Sequence, residues 1–177
     1  MELSDKIKID APRERVFAAL NDIDILREAI PGCETIEANG TDAYTATVTQ
    51  KVGPLKARFK GDVTLSDIVA PESYTLEGAG KAGPAGHVKV RANVKLEEDG
   101  KGTMLNYQVN ADIGGKLAQL GGHLVERTSK KLSAQFFERL EELIEVENTT
   151  DETPTDLAFT QAQSGDNNMT LWIIGAV

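Results

Sequence analysis

The stretch His87-Val88-Lys89-Val90-Arg91-Ala92-Asn93-Val94-Lys95-Leu96-Glu97 decides the fold class. Val88, Val90, Ala92, Val94 and Leu96 alternate with Lys89, Arg91, Asn93 and Lys95. A period of two puts the apolar side chains on one face of a strand and the charged ones on the other. Leu105, Tyr107, Val109, Ala111 and Ile113 repeat the pattern against Asn106, Gln108, Asn110 and Asp112. Between the runs, Asp99-Gly100 is a dipeptide suited to a hairpin turn. Two such strands, tightly joined, predict an antiparallel sheet that is wet on one side only.

Working outward, the same alternation recurs. Tyr44, Ala46 and Val48 precede a Val52-Gly53-Pro54 turn, and Ala57, Phe59, Val63 and Leu65 follow it. Glu72 to Gly78 reads as a further strand, Leu3 to Ile9 as the first, and Cys33 as the start of another. Helices are fewer. Pro12 suits the first turn of a helix ending near Leu20, with Asp10 or Ala11 at its cap. Asn21 or Asp22 caps a second helix through Ala29, stopped by Pro31-Gly32. The longest helix is predicted from Lys116 to Glu145, with Leu117, Leu120, Leu124, Leu132, Phe136, Leu140 and Leu143 at three- and four-residue spacing. The expected architecture is α+β, with two short helices after the first strand. A curved antiparallel sheet of about seven strands would wrap the long C-terminal helix, since each amphipathic element must bury one face.

Charge divides the 177 residues. The net charge is −9, yet the last 33 residues, from Glu145, hold six acidic residues and no Lys or Arg. The body is thus close to neutral. No basic clustering suits nucleic acid. We read residues 1–145 as one domain, 146–169 as an acidic flexible linker and 170–177 as a short apolar C-terminal segment. Leu171 to Val177 is too short to span a bilayer, for which about 20 residues are needed. Its shelter is a membrane interface, a partner or the domain's own cavity, or it is a truncated end. One cysteine and no signal pattern at the N-terminus lead to a cytoplasmic expectation.

Specific strings then narrow the class. Ala11-Pro12-Arg13-Glu14-Arg15-Val16-Phe17 after the first strand resembles the opening of the START-like and polyketide cyclase superfamily. Leu26 with Ile30-Pro31-Gly32-Cys33-Glu34, Lys51-Val52-Gly53-Pro54, Phe59-Lys60-Gly61 and the Gly114 to Gly122 segment resemble the G-subunit family of carbon monoxide dehydrogenase. The resemblance covers roughly residues 1–145. It implies a helix-grip fold and an accessory protein of aerobic carbon monoxide oxidation, acting with carbon monoxide dehydrogenase or a related molybdenum hydroxylase. It further implies peripheral contact with the inner face of the cytoplasmic membrane. A hydrophobic small molecule, a respiratory quinone or other lipid, would be the guest rather than an intrinsic cofactor.

The residues themselves offer little catalytic chemistry. No Walker or dinucleotide-binding glycine pattern and no local Ser-His-Asp signature is present. His87 shares strand parity with lysines and should face solvent; His123 is a polar helix position or a neighbour of a ligand's head group. Neither has metal-ligand spacing. Cys33 is a small buried hydrophobe at the helix-to-strand junction or a reactive or metal-handling thiol, and no nearby His, Lys or second Cys is there to activate it. Gly121-Gly122 inside a helix implies either close packing on the sheet or space left for a guest. Gly78, Gly80, Gly83 and Gly86 around Pro84 imply a bent, mobile connection. Lys51, Lys56, Arg58 and Lys60 around an apolar turn fit a solvated hairpin face or a tip dipping into an anionic bilayer.

A ligand cavity is expected beneath the long helix. Its walls would come from Phe17 and Leu20, then Leu26 and Ile30. The strands would add Phe59, Val63, Leu76, Val90, Val94, Tyr107 and Val109. The helix would add Leu117, Leu120, Gly121 and Leu124. Ala46, Ala57, Ala92 and Ala111 are small enough to leave a void, although small residues also fit a tight core. Tyr44, Tyr74 and Tyr107 are the polar handles. Three functions follow: a carrier and adaptor, a protein-only assembly factor for a molybdenum hydroxylase with a filled interior, or a cyclase-type enzyme. The last needs an inward acid or base, for which Asp5 alone has the right parity.

Overall fold

The computed structural model describes the backbone of residues 1–151 and the side chains of residues 1–147. Among these, seven strands form a single antiparallel sheet: β1 (Glu2–Ile9), β2 (Cys33–Ala38), β3 (Ala43–Val52), β4 (Leu55–Val69), β5 (Ser73–Lys81), β6 (His87–Asp99) and β7 (Gly102–Gly114). Their order is β1-β7-β6-β5-β4-β3-β2. Every neighbour but one is a chain neighbour, and β1 closes on β7 in the register Asp5 opposite Tyr107. The β6–β7 hairpin keeps strict register from His87–Gly114 to Asp99–Gly102, as its alternation requires.

The short helices α1 (Arg13–Leu20) and α2 (Ile23–Ala29) link β1 to β2. Pro12, not Asp10 or Ala11, stands at the first helix's cap position and makes no side-chain cap. Of the two residues expected to cap the second helix, Asp22 does so: its carboxylate accepts from the Asp24 and Ile25 amides at 2.8 and 3.2 Å. β5 runs to Lys81, so Gly78 and Gly80 are strand residues and not part of a bent connection. The connection is a single 3-10 turn at Gly83–Ala85.

The C-terminal helix departs from its sequence reading. It is two helices, α3 (Lys116–Gln119) and α4 (Gly122–Asp151). Gly121 has φ +87°, a left-handed conformation that ends α3 and re-aims the chain. Periodicity carries across this break because Leu117, Leu120 and Leu124 remain apolar, so the sequence shows no interruption. α4 also extends past Glu145 to Asp151. The rest of the expected linker and the segment 170–177 lie outside the described residues.

Two apolar clusters hold α4 to the sheet. The first contains Ile9, Val16, Leu20, Ile25, Leu96, Leu105, Leu140 and Ile144. Leu140 and Ile144 are fully buried, which contributes about 1.5–3 kcal/mol each. Beside them Thr103, also fully buried, donates its hydroxyl to the Ala11 carbonyl at 2.7 Å and ties β7 to the start of α1. The second cluster joins Val52, Leu117 and Val125, with Leu55, Phe59, Ile113 and Leu120 against it.

Candidate ligand cavity

The two clusters grip α4 at Val125, in its first turn, and from Leu140 onward. About 22 Å of helix lies between them at 1.5 Å per residue. Over that span Leu132, Ser133, Phe136 and Phe137 face a cavity of about 530 Å³, partly open to solvent. Its floor is the inner sheet face, and Leu26, Ile30 and Pro31 close one side. A sealed, dry void of this size would cost on the order of 10 kcal/mol at about 24 cal/mol per Å³. That rivals the whole stability of a domain. Because this space is partly open, water or a guest can fill it and the cost of a dry void does not arise.

The cavity brings together Leu20, Leu26, Ile30, Val63, Leu76, Val94, Tyr107 and Val109 from the expected set. It does not include Phe17, Phe59, Val90, Leu117, Leu120, Gly121 or Leu124. Phe17 packs in the first cluster, edge-on to Tyr74 at 6.0 Å between ring centroids. Phe59, Leu117 and Leu120 belong to the second cluster, which plugs the space they were expected to line. Val90 stands against the bare backbone of Gly78, and Leu124 against Gly53 at the β3–β4 turn. Gly121 is the helix break, and a Cβ placed on it or on Gly122 would meet nothing within 4 Å. The glycine pair therefore neither packs on the sheet nor faces the cavity.

Sequence reasoning missed Pro31, Ile36, Val48, Gln50, Leu65, Leu105 and, on α4, Leu132, Ser133, Phe136 and Phe137 as walls. The signal for α4 was present, since Leu132 and Phe136 sit in its apolar stripe, but the stripe does not tell which turns lie over the gap. Of the four small alanines, Ala46 and Ala92 line the cavity; Ala57 and Ala111 are buried outside it.

The lining holds no Asp, Glu, His, Lys or Arg. Its polar groups are Tyr44, Tyr74, Tyr107, Gln50 and Ser133. Burial pushes the Tyr74 phenol well above its ordinary value, and proximity to Tyr44 adds to this. Burial, then Asp42, raises Tyr44 in the same direction. Both remain neutral donors at physiological pH. The Gln50 amide donates to the Pro31 carbonyl, and Tyr107 stacks on Phe137 at 5.8 Å and 20°. Asp5 lies outside, in a groove between β1 and α4 that also holds Lys130 and Glu141. It is not the inward acid that a cyclase would need.

The remaining side chains fall where ordinary chemistry keeps them. His87 and His123 are exposed. Cys33 is half-buried; burial raises its thiol above the ordinary range, with Arg27 opposing the shift, so it is not activated. Val52 and Leu55 turn into the second cluster, which leaves Gly53 and Pro54 as the exposed tip of the lysine-rich hairpin. Arg58 there is paired with Glu34 at 2.7 Å. Among the described residues no group of three or more His, Cys, Asp or Glu could hold a metal ion, and no helix is long and apolar enough to cross a membrane.

Known proteins place this architecture. A conserved protein from Geobacillus kaustophilus superposes with a TM-score of 0.78 at 28% identity, covering 82% of this chain and 96% of that one. The Zhui aromatase/cyclase from Streptomyces sp. R1128 gives 0.65 at 11% identity, covering 86% and 98%. A START superfamily protein from Mycobacterium smegmatis gives 0.63 at 12%, covering 82% and 97%. The latter two share the fold alone, the helix-grip fold of START and cyclase-like proteins. No curated protein matches by sequence. The family of the carbon monoxide dehydrogenase G subunit (CoxG) matches residues 6–145. That match takes in every residue lining the cavity, and the chain belongs to the CoxG family.

Proposed function

We propose that this protein is a non-catalytic carrier of a hydrophobic small molecule, a quinone being the favoured guest, and that it supports or recruits an aerobic carbon monoxide dehydrogenase at the membrane. The supporting observation is the cavity of about 530 Å³ under α4, apolar on nearly every side and lacking any charged group. A quinone suits it chemically: the apolar tail needs shelter from water, and the head needs a few neutral donors. Family membership supports the choice of partner. The lack of a charged acid or base on the wall favours carriage over turnover.

Native protein extracted with organic solvent and analysed by mass spectrometry tests the reading. The expected result is a lipidic compound in near-stoichiometric amount, reduced several-fold in a variant whose cavity is filled by Ala46→Phe. Absence of any such compound, together with failure to bind added quinone, would sink it. Pull-down of the dehydrogenase from a native lysate tests the partner. Recovery unaffected by Ala46→Phe would instead favour an assembly factor acting through its outer surface.

A further inference from the structure

Positive charge gathers on the outer face of the β3–β4 hairpin, the side of the sheet away from the cavity. Lys56, Arg58 and Lys60 alternate along β4 and are all exposed. Lys51 stands directly opposite Lys56 on β3, and Lys81, the last residue of β5, directly opposite Lys60. Side chains so paired lie about 5 Å apart at Cβ, and like charges in that position repel. None of these four lysines has a carboxylate within ion-pair distance among the described residues, whereas Lys8, Lys95 and Lys130 all do. Within the patch Arg58 alone is neutralised, by Glu34 at 2.7 Å. Asp62 and Glu37 border it in the next row of the sheet. Lys81 is far from the hairpin in the chain, so the strand register completes the face. Two in-register lysine pairs weaken the sheet that carries them, and a sequence keeps such an arrangement where something outside the fold supplies the anions.

We infer that this face docks on an anionic bilayer surface, with its lysines seated among the phosphodiester groups. This rests on the reading of the protein as a carrier that works at the membrane, and it adds which side meets the lipid and by what force. The hairpin tip is Gly53-Pro54, and Val52 and Leu55 turn inward, so the contact is electrostatic and without insertion. Lipid is favoured over an acidic protein by what lies behind the face. Val48 and Gln50, from the same stretch of β3 as Lys51, line the cavity. Docking here brings the guest's compartment within one sheet's thickness of the lipid.

Sedimentation of the full chain with lipid vesicles tests the inference. One set of vesicles is phosphatidylcholine alone; the other includes about one-third phosphatidylglycerol, which supplies the negative surface potential. The expected result is binding to the anionic set only, lost between about 0.1 and about 1 M salt as the screening length falls from about 10 to about 3 Å. Lys60→Gln with Lys81→Gln should weaken binding about 25-fold, or about 5-fold per lysine, and Lys51→Gln with Lys56→Gln by a similar factor. Lys6→Gln with Lys101→Gln removes the same charge from exposed positions elsewhere and should change binding less than about 2-fold. Because it removes a like-charge pair, the Lys60 and Lys81 double variant should unfold at or above the urea midpoint of the unsubstituted protein, so its loss of binding is not a loss of fold. Equal binding to both kinds of vesicle overturns the inference, as does an equal loss from the Lys6 and Lys101 substitutions. No binding to either kind also overturns it; if recovery of the dehydrogenase from a lysate then falls with Lys60→Gln and Lys81→Gln, the face belongs to an acidic protein. Solvent extraction reads the guest independently of these outcomes, so the carrier reading and the docking face fail separately.

Discussion

Ala92→Leu asks whether the space under α4 is unfilled. Ala92 lies on β6 near the middle of the sheet, 8% exposed, with its methyl on the cavity floor. Leucine adds three carbon groups. In a vacant cavity of about 530 Å³ they can be buried without displacing a neighbour. At about 0.8 kcal/mol per methylene, burial contributes about 2.4 kcal/mol, and fixing the side chain costs about 0.5–1 kcal/mol. The net expectation is stabilisation by about 1.5 kcal/mol, or about 3–6 °C in Tm for a chain of this size. Ala19→Leu is the reference. Ala19 is 3% exposed inside the first cluster, where overpacking costs about 1–3 kcal/mol. The two substitutions should differ in sign. Urea unfolding of refolded, ligand-free protein reads both, since a bound guest would add its own stabilisation. If Ala92→Leu destabilises as much as Ala19→Leu, the interior is packed and the reasoning fails.

Three further outcomes are expected. Thr103→Val leaves the Ala11 carbonyl unpaired at a fully buried site and should cost about 1–3 kcal/mol by urea unfolding; a loss below a few tenths would mean that the Thr103–Ala11 bond is immaterial. Gly53→Ala should destabilise by about 1–2 kcal/mol because Gly53 has φ +57°. Its added carbon would also stand 2.7 Å from Leu124 Cδ2, so the cost should shrink, without vanishing, in a Leu124→Ala background; an identical cost in both would refute the contact. Glu34 is held below its ordinary 4.5, first by the hydrogen bond from Arg58 and then by that from Thr49. A depressed folded pKa means stabilisation that is complete above 4.5 and is lost as pH falls through the folded value. Arg58→Ala should therefore move the Glu34 midpoint upward, read by NMR titration, and an unmoved midpoint would refute the pairing.

Much of the fold was legible because strand faces are a local property. The alternation from Val88 to Leu96 and from Leu105 to Ile113 needs only the period of the backbone, and the inner positions fall where that period puts them. Asp22 as a cap and Pro31-Gly32 as a stop were equally local. The cavity walls were legible in half. Leu76, Val94, Tyr107 and Val109 follow from strand parity, whereas Phe59 and Val90 have the same parity and lie elsewhere. Parity says which face a side chain is on, not which part of that face another element covers.

The amino-acid sequence by itself determined the sheet, its hairpins, the apolar stripe of the final helix and, Asp5 excepted, the absence of charge on the inner strand faces, all consequences of short-range periodicity. Only the tertiary structure decided that Gly121 breaks the helix, that Leu117, Leu120 and Val125 plug one end, and that Leu132, Ser133, Phe136 and Phe137 roof the space left between. The reason is geometric. A void is set by where two surfaces fail to meet, and that depends on the axial position of α4 against the sheet, which no repeating pattern in either element encodes.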